Sequence, residues 1–258
     1  GTPEGLHSLG VKGEDVVIGI VDSGIWPEHP SFADDGSYGP LAGWTGVCDT
    51  GEDADFSCSN KLIGARYYKS SFESVYQLQP GEFVSPRDAD NHGTHVASTA
   101  GGNEGVTAVL NGTEVATVSG IAPRARIAMY KACWNSSYTN PQGQPERGCF
   151  GGDTMAAIDQ AVADGVDIIN YSISGSLTNI TTPQAAAKLR AAQAQRIVRI
   201  RCIQAVDQQR QATALANLES QLAVDSIALR AAGCAQIQRE AAAPGHHVDR
   251  TAGHLQHA

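Results

Sequence analysis

Three stretches of the chain are continuous runs of apolar, largely β-branched residues closed by turn residues: "EDVVIGIVDSG" at 14–24, "RARIAMYKACW" at 124–134 and "VDIINYSISGS" at 166–176. Such short runs predict strands buried on both faces. Between them the period changes. "NHGTHVASTAGG" predicts a helix that opens near His92 and stops at its glycines. "GGDTMAAIDQAVADG" at 151–165 predicts another, with Asp153 or Thr154 near its start and Gly165 just past its end. Strands alternating with helices predict an α/β fold with a parallel sheet covered on both faces, whose chemistry gathers at the carboxyl ends of the strands. Residues 33–90, rich in Gly, Ser, Asp and Pro, read as a long surface excursion.

Beyond Thr181 the pattern changes again. Ala, Gln, Arg and Leu dominate, and no glycine occurs until Gly233. Leu215, Leu218, Leu222 and Leu229 keep to one helical face, as do Ile197, Ile200 and Ile203, so long helix without further βα alternation is expected, ending in a mobile stretch. Charge sharpens the division. Residues 1–181 hold 9 Lys and Arg against 22 Asp and Glu, together with every Phe, Trp and Tyr, whereas 182–258 hold 9 against 5. The expected organisation is a body over 1–181 and an unrelated helical tail over 182–258. Loss of every aromatic at one point favours a frame-shifted tail, since out-of-frame translation of GC-rich DNA gives such a composition. The alternative is a genuine helical appendage that binds a partner.

The net charge of -9 argues against nucleic acid as a partner, and no apolar run approaches the length that crosses a membrane. Of the six cysteines, Cys48 and Cys58 bracket a polar loop that a disulfide could close; spacing leaves the pairing among Cys48, Cys58, Cys133, Cys149, Cys202 and Cys234 open. "NGT" at 111, "NSS" at 135 and "NIT" at 179 fit N-glycan acceptors if the chain is made in a eukaryotic secretory pathway. The chain opens without Met and without a visible leader, and so reads as a mature form or a fragment.

Asp22 closes the first apolar run. A carboxylate there can hold a histidine, bind a metal or cap the following turn, and its apolar approach demands a donating partner. His92, which opens the predicted helix behind "DADN", suits a general base facing a cleft, with Asp22 fixing its tautomer. His95, three residues on, could join His92 and Asp22 around a metal, or be an ordinary surface or core histidine. The third strand ends in Ser172, Ile173, Ser174 and Gly175, whose free backbone groups could receive an extended peptide as an added strand.

In this order, "VVIGIVDSGIWPEHPSF", "DNHGTHVASTAGG", "SGIAPRARIAMYKACW" and "VDIINYSISGS" resemble the subtilase family, the subtilisin-like serine endopeptidases; "GWTGVC" and "NKLIGARYY" draw the likeness toward its plant-type and related bacterial branch. The likeness covers about residues 1–180. It implies the N-terminal part of a three-layer subtilisin-like fold, a secreted protease with protein or peptide substrates and no membrane or nucleic-acid partner, Asp22 and His92 as two triad members, and a substrate edge at Ser172, Ile173, Ser174 and Gly175. Calcium often stabilises this family, but no ligand cluster stands out and no cofactor is expected. The family's Gly-Thr-Ser-Met-Ala segment, which carries the nucleophile, and its Ala-Gly-Asn stretch, which supplies the oxyanion donor, do not occur in the 258 residues. The expectation is therefore a protease truncated before its serine, with an incomplete sheet, inactive as it stands; the alternative is a non-catalytic, protease-derived peptide-binding or scaffold protein.

Overall fold

The computed structural model describes residues 6–143, 145–174, 182–194 and 197–200. In chain order its elements are β1 (Val17–Asp22), β2 (Leu62–Tyr67), α1 (Ser70–Glu73), α2 (His92–Gly101), β3 (Val106–Leu110), β4 (Thr113–Val118), β5 (Arg126–Lys131), β6 (Cys133–Thr139), β7 (Pro145–Cys149), α3 (Gly151–Asp164), β8 (Ile168–Tyr171), α4 (Pro183–Gln193) and β9 (Ile197–Ile200). Five strands form one parallel sheet in the order β2-β5-β1-β8-β9, and two separate hairpins pair β3 with β4 and β6 with β7.

β1 lies at the centre, and all six of its residues are buried. Its side chains alternate between the two faces, as strand geometry requires. Val17 and Val21 join Tyr130, Ile158 and Ala161 on the side covered by α3 and α4, while Ile18 and Ile20 join Ile127, Met129 and Ala97 on the side covered by α2. This is the helix-sheet-helix sandwich expected of the apolar runs, and it sets the carboxyl ends of β1, β5 and β8 side by side. α3 ends at Gly165, whose φ of 94° lets the chain reverse into β8.

Three expectations change. Asp153 does not cap its own helix; it is buried and accepts from the Ser71 and Phe72 N–H groups at 2.9 and 2.8 Å, capping α1 from outside. The supposed surface excursion contains β2, an edge strand in register with β5, together with buried Phe56 and Phe72. Past Thr181 the βα alternation does continue. Thr182 caps α4 by accepting from Ala185 N–H at 3.2 Å, Pro183 occupies its first turn, and β9 then pairs parallel with β8. Ile197 and Ile200 thus lie in a strand, because the β-branched Ile-Val-Arg-Ile run prefers extended backbone once the alanines of α4 end. The leucine stripe at 215–229 and Ile203 lie outside the described residues.

Among the described residues two disulfides form, Cys48–Cys58 and Cys133–Cys149, the second directly across the β6–β7 pair. Cys202, Cys234 and the acceptor triplet at Asn179 lie outside the described residues. Asn111 and Gly112, with φ of 49° and 78°, make the two-residue turn of the exposed β3–β4 hairpin. Among the described residues no helix is long and apolar enough to cross a membrane.

Candidate active site

Asp22 is the last residue of β1 and is 1% exposed. His92 is the first residue of α2, and its Nδ1 lies 2.7 Å from Asp22 Oδ1. The same oxygen accepts from the Ser23 backbone N–H at 2.7 Å, while Oδ2 is buried without a hydrogen-bond partner among the described residues. Burial pushes the Asp22 carboxyl above the usual carboxylate range, and the hydrogen bonds from His92 and Ser23 pull against it. An ionised carboxylate can only accept, so the hydrogen between the two groups belongs to Nδ1. That leaves Nε2 with its lone pair, on a ring whose side chain is 46% exposed. The contact thus orients the imidazole, which is still reachable from solvent.

Local backbone makes this geometry. Asn91, just before the helix, has φ of 70°, a left-handed conformation that Asn tolerates better than most residues. Its side chain makes no cap. Of the open N–H groups of the first turn, that of Thr94 donates to Asp88 and that of Gly93 to Ser23 Oγ; Asp88 is buried and also accepts from Asp90 and Asn91, just before the helix. α2 also comes close to the turn after β1: a Cβ on Gly93 would sit 2.2 Å from the Gly24 carbonyl oxygen.

Asp22 and His92 line a cleft of about 220 Å³ together with Ser172, Ile173 and Ser174, so five of the seven residues singled out in the sequence share one cavity. Gly175 lies outside the described residues. Ser172 Oγ donates to Asn170 Oδ1 at 3.1 Å, which ties the strand end to its own edge. His95 lies exposed on the next turn of α2. Among the described residues no group of three or more His, Cys, Asp or Glu is placed to hold a metal.

The opposite wall was not read from the sequence. It comes from the β6–β7 hairpin, with Trp134, Arg147, Gly148 and the Cys133–Cys149 bridge, and from Glu82. Glu82 pairs with Lys131 at 2.8 Å, and Lys131 also donates to the Arg87 carbonyl at 2.7 Å. Both side chains are almost wholly buried, so the pair anchors the 78–88 loop to the end of β5. Arg147 reaches across to Asp90, two residues before His92. A lysine at the carboxyl end of a buried strand, and two cysteines sixteen apart that follow it, were the available signals.

Residues 13–245 match the sequence pattern of the subtilase family. The subtilisin-like protease SBT3.11 of Arabidopsis thaliana is 46% identical over 179 residues, which cover 67% of this chain and 22% of that protein. The subtilisin-like protease SBT1.6 of the same plant is 44% identical over 187 residues, covering 70% and 23%. SBT5.5, also from Arabidopsis thaliana, is 47% identical over 169 residues, covering 62% and 20%. The chain spans under a quarter of the length of these curated relatives.

Proposed function

Since the chain belongs to the subtilase family, a family of serine proteases, we infer that its cleft performs the acid–base half of serine endopeptidase chemistry on protein substrates. The observation that carries this reading is the 2.7 Å contact between His92 Nδ1 and Asp22 Oδ1 at the mouth of the cleft. In the proposed reaction His92 Nε2 takes the proton of a serine hydroxyl as that oxygen attacks the scissile carbonyl. Asp22 stabilises the imidazolium, and the same proton passes to the leaving amine. The polypeptide lies extended against Ser172, Ile173, Ser174 and Gly175, whose strand end offers it backbone partners.

The serine is the part these residues do not supply. No Gly-Thr-Ser segment occurs among them, and loss of the nucleophile costs a subtilisin-type site about a millionfold in turnover. The isolated chain is accordingly proposed to be inactive. Incubation with a serine-directed fluorophosphonate tests this: no stoichiometric label is expected, and rapid labelling of one serine would overturn it. Retention of the cleft without the serine also favours a second reading, peptide binding without cleavage. Saturable binding of an extended peptide, abolished by Gly175→Arg, would support that reading, and no binding would dismiss it.

The division of the chain is proposed to lie at residues 181/182, with α4 and β9 the first pieces of a compositionally distinct tail that add a helix and an edge strand to the body. The proposed site of action is extracellular. The two disulfides support it, since such bonds persist in oxidising compartments.

A further inference from the structure

Asp88 lies at the joint between the end of β1 and the start of α2 and is 1% exposed. Its two oxygens receive five hydrogen bonds. Oδ1 accepts from Ser23 Oγ at 3.0 Å and from the backbone N–H groups of Asp90 and Asn91 at 3.0 and 2.9 Å. Oδ2 accepts from the Thr94 N–H at 2.8 Å and from Thr94 Oγ1 at 2.6 Å. Ser23 Oγ, in turn, accepts from the Gly93 N–H at 2.9 Å.

The connectivity gives this cluster its meaning. Ser23 is the residue after Asp22, and Gly93 is the residue after His92. One hydroxyl therefore bridges the neighbours of both members of the base pair, and Asp88 orients that hydroxyl while it caps the helix on which His92 rides. A carboxylate so deeply buried is costly unless its oxygens are satisfied, and here the donors are one N–H of the first turn of α2, two N–H groups just before it and two hydroxyls, which suit a negative charge. The close approach of Gly93 to the Gly24 carbonyl leaves the helix no room to move nearer. The hydroxyl bridge keeps it from moving away.

We propose that Asp88 is a positioning residue that sets the Asp22–His92 hydrogen bond by locking the end of β1 to the first turn of α2 through Ser23 and the Gly93 N–H. It touches neither the imidazole nor the substrate cleft. The proposal rests on the reading of His92 as base. An amide cannot replace it: backbone N–H groups face both oxygens, so whichever way Asn is turned its NH₂ meets a donor.

The test is ¹⁵N-resolved proton NMR of the 258-residue protein, following the far-downfield Nδ1 proton of His92 that the bond to Asp22 protects from exchange. The signal is expected in the parent and lost in both Asp88→Asn and Ser23→Ala, with the amide dispersion of the sheet retained. An unchanged signal in folded Asp88→Asn overturns the proposal and leaves the base reading intact. Should Asp88→Asn fail to fold, Ser23→Ala decides by the same signal, because it removes one hydroxyl and leaves in place the bonds that Asp88 accepts from the Asp90, Asn91 and Thr94 N–H groups. A parent in which ¹⁵N shifts place the proton on Nε2 overturns the base reading, and the positioning role with it.

Discussion

Gly93 has no space for a side chain, because a Cβ would stand 2.2 Å from the backbone oxygen of Gly24, which cannot rotate away. Gly93→Ala is expected to force α2 off the end of β1 and lower the unfolding free energy by about 1–3 kcal/mol, as overpacking generally does. Urea denaturation checks this, and an unchanged midpoint would show that the joint has slack. A second residue gives a pH signature. Lys61 is wholly buried, donates at 2.7 Å to the carbonyls of Pro123 and Ala125, and stands 5.1 Å from the Tyr38 ring centre. Burial pushes its ammonium down to about 7 from an ordinary 10.5. The unfolded chain then holds this proton throughout a window in which the folded protein has released it, so Lys61 makes stability rise with pH from about 7 to about 10. Below that window both states are protonated and its cost is constant. Lys61→Met is expected to flatten the rise, measured as unfolding free energy at the two ends; an equal slope in both proteins would assign the titration elsewhere.

At the scale of elements the β6–β7 hairpin closes one side of the cleft and is held by a bridge between residues 16 apart. Replacing both cysteines, Cys133→Ser with Cys149→Ser, is expected to cost about 3 kcal/mol, the chain-entropy value for a loop of that size. Equilibrium unfolding in denaturant measures it, and a loss near zero would mean that strand pairing alone orders the hairpin. Elements with an uninterrupted apolar run or a glycine stop were legible: β1, β5, β8, α2 and α3 stand where the sequence put them. β2 was not, because Leu62–Tyr67 carries a glycine and an arginine and lies within a polar stretch. β9 was hidden for the opposite reason. Its four residues follow an alanine-rich helix, and a helical window averaged over both masked the β-branched run. The site was half legible. Asp22 and His92 mark themselves by ending a buried strand and opening a helix, but Asp88 and the Lys131–Glu82 pair act through folding contacts across 65 and 49 positions, which no local pattern records.

For the molecule as a whole, the sheet order explains why residues 70 positions apart form one site: β1 at the centre delivers Asp22 to the floor of the cleft, and α2, packed on the same strand, returns His92 above it. The acidic, aromatic-bearing body carries all of this geometry. The central claim is that this pair activates a serine. The most direct measurement is the rate of fluorophosphonate labelling of a chimera that joins residues 1–174 to the Gly-Thr-Ser-bearing remainder of a subtilase catalytic domain. The account predicts labelling of that serine, slowed by about 10⁴-fold in Asp22→Asn and at least as much in His92→Ala. Labelling at the parent rate in the His92→Ala chimera would contradict it.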